Sequence, residues 1–110
     1  MSLSFTPTLK IKKQLKRVIA KKFLISGQVQ GVFFRKTTES FVHKELPNII
    51  GYVKNLSNGQ VEVFAMGEED QLIALKKFLR VGPKQSRVDR VEEEDVKPIL
   101  SLNNFMIIRE

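Results

Sequence analysis

Hydrophobic and polar positions change period several times along the chain, and each change marks a structural element. Phe23-Leu24-Ile25-Ser26 is a short apolar run closed by Gly27. Its length and the flanking glycine predict a buried strand rather than a helix. From Phe34 through Leu46, Phe34, Phe41, Val42 and Leu46 recur near helical spacing, and Pro47 ends the pattern. Tyr52–Leu56 and Gln60–Met66 are two strand-like runs flanking Ser57-Asn58-Gly59, whose Asn-Gly step supplies the positive φ that tight hairpins need. Val61, Val63 and Ala65 share one face by period two, as expected of a sheet covered on one side. Glu68-Glu69-Asp70 place negative charge where a second helix begins. Leu72, Leu75, Phe78 and Leu79 continue that helix, and Gly82-Pro83 stops it. Arg87–Val96 reads as a charged strand and Phe105–Ile108 as a terminal apolar one.

The first six of these elements follow the order βαββαβ. That predicts an α+β, ferredoxin-like sandwich, an antiparallel sheet with two helices on one face, plus a short C-terminal strand. Such an architecture hosts enzymes, RNA-binding modules and regulatory domains alike, so function has to be read from a site.

Composition narrows the choices. A chain of 110 residues has room for one compact domain, since domains commonly hold about 100–150 residues. Cysteine is absent, which leaves out disulfide scaffolds, thiolate metal sites and a cysteine nucleophile, and with His43 the one histidine, His-rich metal cages and a Ser-His-Asp arrangement are hard to build. The expectation is accordingly no metal and no cofactor. No run approaches the roughly 20 apolar residues of a membrane-spanning helix. No secretory signal is legible, and a cytoplasmic protein, monomeric and without a membrane span, is expected.

The formal charge of +7 is unevenly placed. Residues 1–22 hold Lys10, Lys12, Lys13, Lys16, Arg17, Lys21 and Lys22 and no acid, whereas the twelve bases of 23–110 are matched by twelve acids. The division drawn from this is a basic N-terminal extension, 1–22, ahead of a neutral domain, 23–110. Leu9, Ile11, Leu15, Val18 and Ile19 offer the extension an amphipathic helix with a possible nucleic-acid contact, against the plainer reading of a solvated tail.

The segment with most chemical content is Gly27-Gln28-Val29-Gln30-Gly31-Val32-Phe33-Phe34-Arg35, between a strand and a helix. Two glycines let the backbone curve closely, and successive N–H groups backed by a helix N-terminus form an anion-binding concavity. Arg35 sits where its planar fork of donors meets a tetrahedral oxyanion. A tight turn beside a surface arginine shows the same pattern, so the spacing alone leaves both readings open.

Gly27-x-Val29-Gln30-Gly31-Val32-x-Phe34-Arg35 resembles the signature of the acylphosphatase family, and Thr38 matches that family's Arg-x-x-Thr continuation. Gly51-Tyr52-Val53-Lys54-Asn55, a small turn ending in Gly59, and Val61-Glu62-Val63 are similar to its second signature. The likeness spans 22–110. It departs at Asn58-Gly59, where Asp-Gly is common, at the Leu46-Pro47-Asn48-Ile49-Ile50 link, and at the long extension.

The resemblance implies an acylphosphatase that cleaves the carboxyl–phosphate bond of an acyl phosphate. Arg35 and the backbone N–H groups of Gln28, Val29, Gln30, Gly31 and Val32 would bind the phosphoryl oxygens, and Asn55 would hold the attacking water. Inorganic phosphate would then be product and inhibitor. The alternative is a non-catalytic phosphate- or nucleic-acid-binding module, for which a water-holding amide has no evident use. Among other candidates, His43 reads as a surface or helix-packing residue and Glu92-Glu93-Glu94-Asp95 as a charge run whose neighbours face opposite ways. Phe33 and Phe34 do not fit the pattern of an RNA-recognition strand, and Phe34 at least is expected in the core.

Overall fold

A computed structural model of the chain describes residues 17–109. It contains β1 (Ile19–Gln28), α1 (Phe34–Glu45), β2 (Ile50–Asn55), β3 (Val61–Gly67), α2 (Glu69–Val81), β4 (Arg87–Val96) and β5 (Phe105–Ile108). The sheet order is β4-β1-β3-β2-β5. The first four strands pair antiparallel, as the βαββαβ order requires. The C-terminal strand, for which the pattern specified no partner, joins β2 in parallel, so the sheet is mixed.

Both helices cover one face, as expected. Phe23 and Ile25 of β1, Val53 of β2 and Val61, Val63 and Ala65 of β3 are fully buried there against Val42 of α1 and Leu75 and Leu79 of α2. Phe41 and Phe78 stack with centroids 4.1 Å apart and planes 7° from parallel, joining the two helices to each other. Leu46 and Ile49 of the unusual link are both buried, so that segment closes the core beneath α1. His43 Nε2 donates to the Phe105 carbonyl at 2.8 Å and ties the C-terminal half of α1 to the start of β5, which bears out the packing role. The opposite face carries a smaller cluster of Ala20, Phe64 and Met66, with Leu102 from the β4–β5 connection packed against it.

The largest boundary difference from the sequence reading is at the start of β1. The first strand starts at Ile19 rather than Phe23, so residues 19–22, grouped with the extension on charge, lie in the sheet. Ile19 is therefore not part of an amphipathic helix, and the rest of that candidate helix through residue 16 lies outside the described residues. The reason is visible in the partners. Lys21 Nζ donates to Glu93 at 2.6 Å and Asp95 at 2.7 Å, and Lys22 lies 3.5 Å from Glu94. Two lysines that read as leader charge are the counter-ions of the acidic run on β4, alternating between faces with it. Glu93 also accepts from Lys76 of α2 at 2.8 Å. Its hydrogen bonds to Lys21 and Lys76 hold its carboxyl below the usual range, and those from Lys21 to Asp95 and Glu93 raise the ammonium.

Candidate active site

The site lies where β1 leaves the sheet. A register shift between Ser26 and Gly27 bends the strand, as β-bulges do. Gly27 has φ 135°, and a side chain there would collide with the Arg87 carbonyl. The chain turns again at Gly31, where φ is 74°. Nothing crowds that position, so the backbone angle alone calls for glycine. Phe33 then takes the left-handed conformation, φ 64° and ψ 22°, immediately before α1. Among the described residues, the N–H groups of Gln30, Gly31, Val32 and Phe33 donate no hydrogen bond to another backbone group. The N-terminus of α1 has no side-chain cap and no acid in its first turn. Gly31 and Phe33, two of the residues with these unpaired donors, border one spot together with the positive end of the helix dipole.

That spot is an open cavity of about 370 Å³. Arg35, from the first turn of α1, and Asn55, the last residue of β2, both line it, with Val29 and Gly31 of the loop. The remaining predicted contacts, Gln28, Gln30 and Val32, are not among its lining residues. The side-chain oxygen Oδ1 of Asn55 is buried and has no hydrogen-bond partner. A buried carbonyl left without a donor costs roughly 1–3 kcal/mol, so it is well placed to accept one from a bound water or substrate.

Gln30 has a role that the motif alone did not reveal. Its Nε2 donates to the carbonyls of Leu56 and Gln60, both at 2.8 Å. Gln60 Nε2 donates in turn to Ser26 Oγ at 2.8 Å. These bonds clamp the glycine loop onto the β2–β3 hairpin directly beside Asn55. The hairpin closes as its Asn-Gly step predicts, with Leu56 N–H donating to Gln60 O at 2.8 Å and Gln60 N–H to Asn58 Oδ1 at 3.0 Å.

Arg109, Lys36 and Phe33 also line the cavity and were not singled out as site residues from sequence. Arg109 is the clearest omission. Lys54 is in parallel register with Ile108, so the next residue, Arg109, flanks Asn55 from the neighbouring strand. Only knowledge of the β2–β5 pairing could have found it. Phe34 turns inward and is 2% exposed, as expected, whereas Phe33 is 71% exposed.

A glycine-bent loop, an uncapped helix start and a guanidinium surround one cavity of an α+β sandwich, an arrangement chemically suited to an oxyanion, and comparison with known proteins is more specific. A family model described as Acylphosphatase matches residues 21–107. The acylphosphatase of Helicobacter hepaticus is 44% identical over 90 residues, covering 79% of this chain and 94% of its own. A solved acylphosphatase from Coxiella burnetii aligns with a TM-score of 0.73 at 36% identity, covering 83% of this chain and 93% of that one. The Bacillus subtilis acylphosphatase structure gives 0.76 at 26% identity, covering 84% and 100%. The chain belongs to the acylphosphatase family of hydrolases.

Proposed function

We propose that the protein hydrolyses acyl phosphates to a carboxylate and inorganic phosphate by in-line attack of water, with no metal needed. The observation that carries this reading is the convergence of Arg35 and Asn55 on one cavity, although they come from different elements and lie twenty residues apart. Arg35 and the backbone N–H groups of the Gln28–Val32 loop, of which those of Gln30, Gly31 and Val32 donate to no other backbone group, hold the phosphoryl oxygens, and the charge that builds on them in the transition state meets donors already in place. Asn55 Oδ1 accepts a hydrogen bond from the attacking water and aims its lone pair at phosphorus. Arg109, flanking Asn55, adds positive charge on the same side.

As the water oxygen bonds to phosphorus, the bond from phosphorus to the acyl oxygen breaks and its electron pair leaves on the carboxylate. The water's proton passes to a phosphoryl oxygen or to solvent. A carboxylate whose conjugate acid has a pKa of about 4 departs without protonation, which explains how a site with no general acid suffices for this substrate class. A phosphate monoester, with an alkoxide to expel, would ask for an acid or a metal ion. Asn55 also favours catalysis over simple capture, because an anion-binding module needs the arginine but not an orphan amide oxygen beside it.

The same reading takes the unit as one domain behind a basic extension, acting in the cytoplasm as a monomer, with inorganic phosphate as a competitive inhibitor. Among the described residues no helix is long and apolar enough to cross a membrane. The deciding experiment is phosphate release from benzoyl phosphate by the purified protein in EDTA. Turnover inhibited competitively by phosphate is expected. A protein that binds phosphate yet releases none from the substrate would be the binding module instead.

A further inference from the structure

Phe33 places a phenyl ring at the cavity in a way that the fold does not explain. Its left-handed backbone, φ 64° and ψ 22°, is costly for a residue with a side chain, while glycine or asparagine adopts it readily. Its ring is 71% exposed, whereas the adjacent Phe34 fills the core at 2%. Among the described residues the ring stacks on no aromatic side chain and carries no cation, in contrast to Phe41, Phe64 and Tyr52. Neither helix capping nor core packing therefore accounts for a phenyl group here.

The cavity does account for it. Phe33 lines the same space as Arg35, two residues further on, so a group covalently attached to a phosphoryl bound at Arg35 comes within reach of the ring. In-line displacement requires the acyl group to lie on the far side of phosphorus from the water, hence away from Asn55. Asn55 enters the cavity from the end of β2 and Phe33 from the start of α1. The acyl side of the substrate thus meets a flat, wet, apolar surface whose burial is favourable, the more so when the partner is itself a flat ring.

We infer that Phe33 is a specificity-determining residue, forming the acyl-group subsite and selecting acyl phosphates with an aromatic acyl group over small aliphatic ones. The inference rests on the hydrolase reading above. It is tested with benzoyl phosphate and acetyl phosphate as a matched pair, in the full-length protein and in Phe33→Asn, which keeps a residue tolerant of the left-handed backbone while removing the ring. The expected result is a fall of about tenfold in the ratio of kcat/KM for benzoyl over acetyl phosphate, residing in KM rather than kcat. Phe33→Trp should hold or raise that ratio. The inhibition constant for inorganic phosphate, which reports the loop and Arg35, should change by less than twofold. An unchanged ratio in Phe33→Asn overturns the subsite. So does an equal loss on both substrates accompanied by weaker phosphate inhibition, because the ring would then only be shaping the loop. If the unmodified protein hydrolyses neither substrate, the hydrolase reading itself has failed, and the subsite with it.

Discussion

Helix α2 begins with Glu69 and Asp70 in its first turn, whereas α1 has no acid there and a base, Arg35, as its second residue; neither start has a side-chain cap. The basic residue Lys76 of α2 is paired with Glu93, but Arg35 and Lys36 of α1 have no ion pair among the described residues and line a cavity. Both helices pack on the same sheet face and bury comparable stripes, so the contrast is not one of core-making. It is between a helix start built for stability and one whose positive end is left open. Negative charge near a helix N-terminus contributes roughly 0.3–1 kcal/mol. α2 obtains this from its own chain, and α1, in the proposed mechanism, obtains it from the substrate.

Removing the guanidinium should break the contrast most severely. Arg35→Ala is expected to lower kcat/KM on benzoyl phosphate by about 10³-fold, in the range for loss of a transition-state donor, and to abolish inhibition by phosphate. Retained phosphate inhibition would place the anion elsewhere. Asn55→Ala separates water from anion: kcat should drop by about 10²-fold while phosphate still competes. Equal losses in turnover and phosphate affinity would make Asn55 part of the anion cradle.

Giving α1 the start that α2 has is a gentler test. Lys36→Glu should weaken phosphate inhibition by about tenfold and leave thermal stability equal or higher by up to about 1 kcal/mol, since the new acid faces an uncompensated dipole. The converse double substitution, Glu69→Gln with Asp70→Asn, should lower stability by about 1 kcal/mol in urea unfolding and leave kcat/KM unchanged. Loss of activity there would mean that the two helix starts are coupled.

The smallest effect concerns the ion pairs beside α2. Lys21→Met should cost about 1 kcal/mol near pH 7, as partly exposed pairs do. The Glu93 carboxyl is lowered, so its contribution is present above the ordinary carboxylate range and is lost as pH falls through the lowered value. The Lys21 ammonium is raised, so its contribution is present below the ordinary lysine range and is lost as pH rises through the raised value. The stability gap between Lys21→Met and the unmodified chain should therefore narrow at both extremes, and a gap flat with pH would assign the loss to packing.

Much of the molecule was legible before any coordinates. The periods around Phe34–Leu46 and Leu72–Leu79, the alternation at Val61–Ala65 and the Asn58-Gly59 step are local signals, and local hydrogen bonding with one-sided burial turns them directly into elements. The glycines at 27 and 31 likewise announced a bent loop, because the backbone angles they adopt are nearly closed to other residues. Charge misled at one place. Lys21 and Lys22 looked like part of a leader because their partners, Glu93, Asp95 and Glu94, lie some seventy residues later in the chain.

Sequence by itself thus determined the order of strands and helices, the glycine loop and Arg35 beside it, since each is encoded within a few neighbouring residues, while Asn55 became a candidate through the family resemblance. Tertiary structure alone decided that Arg109 stands beside Asn55, that the Gln30 side chain clamps the hairpin, and that Phe33, unlike the core residue Phe34, faces outward. Those outcomes depend on strand register and on how a loop crosses the end of the sheet. Such pairings are set by the burial and hydrogen bonding of the whole fold, and no window along the chain contains them.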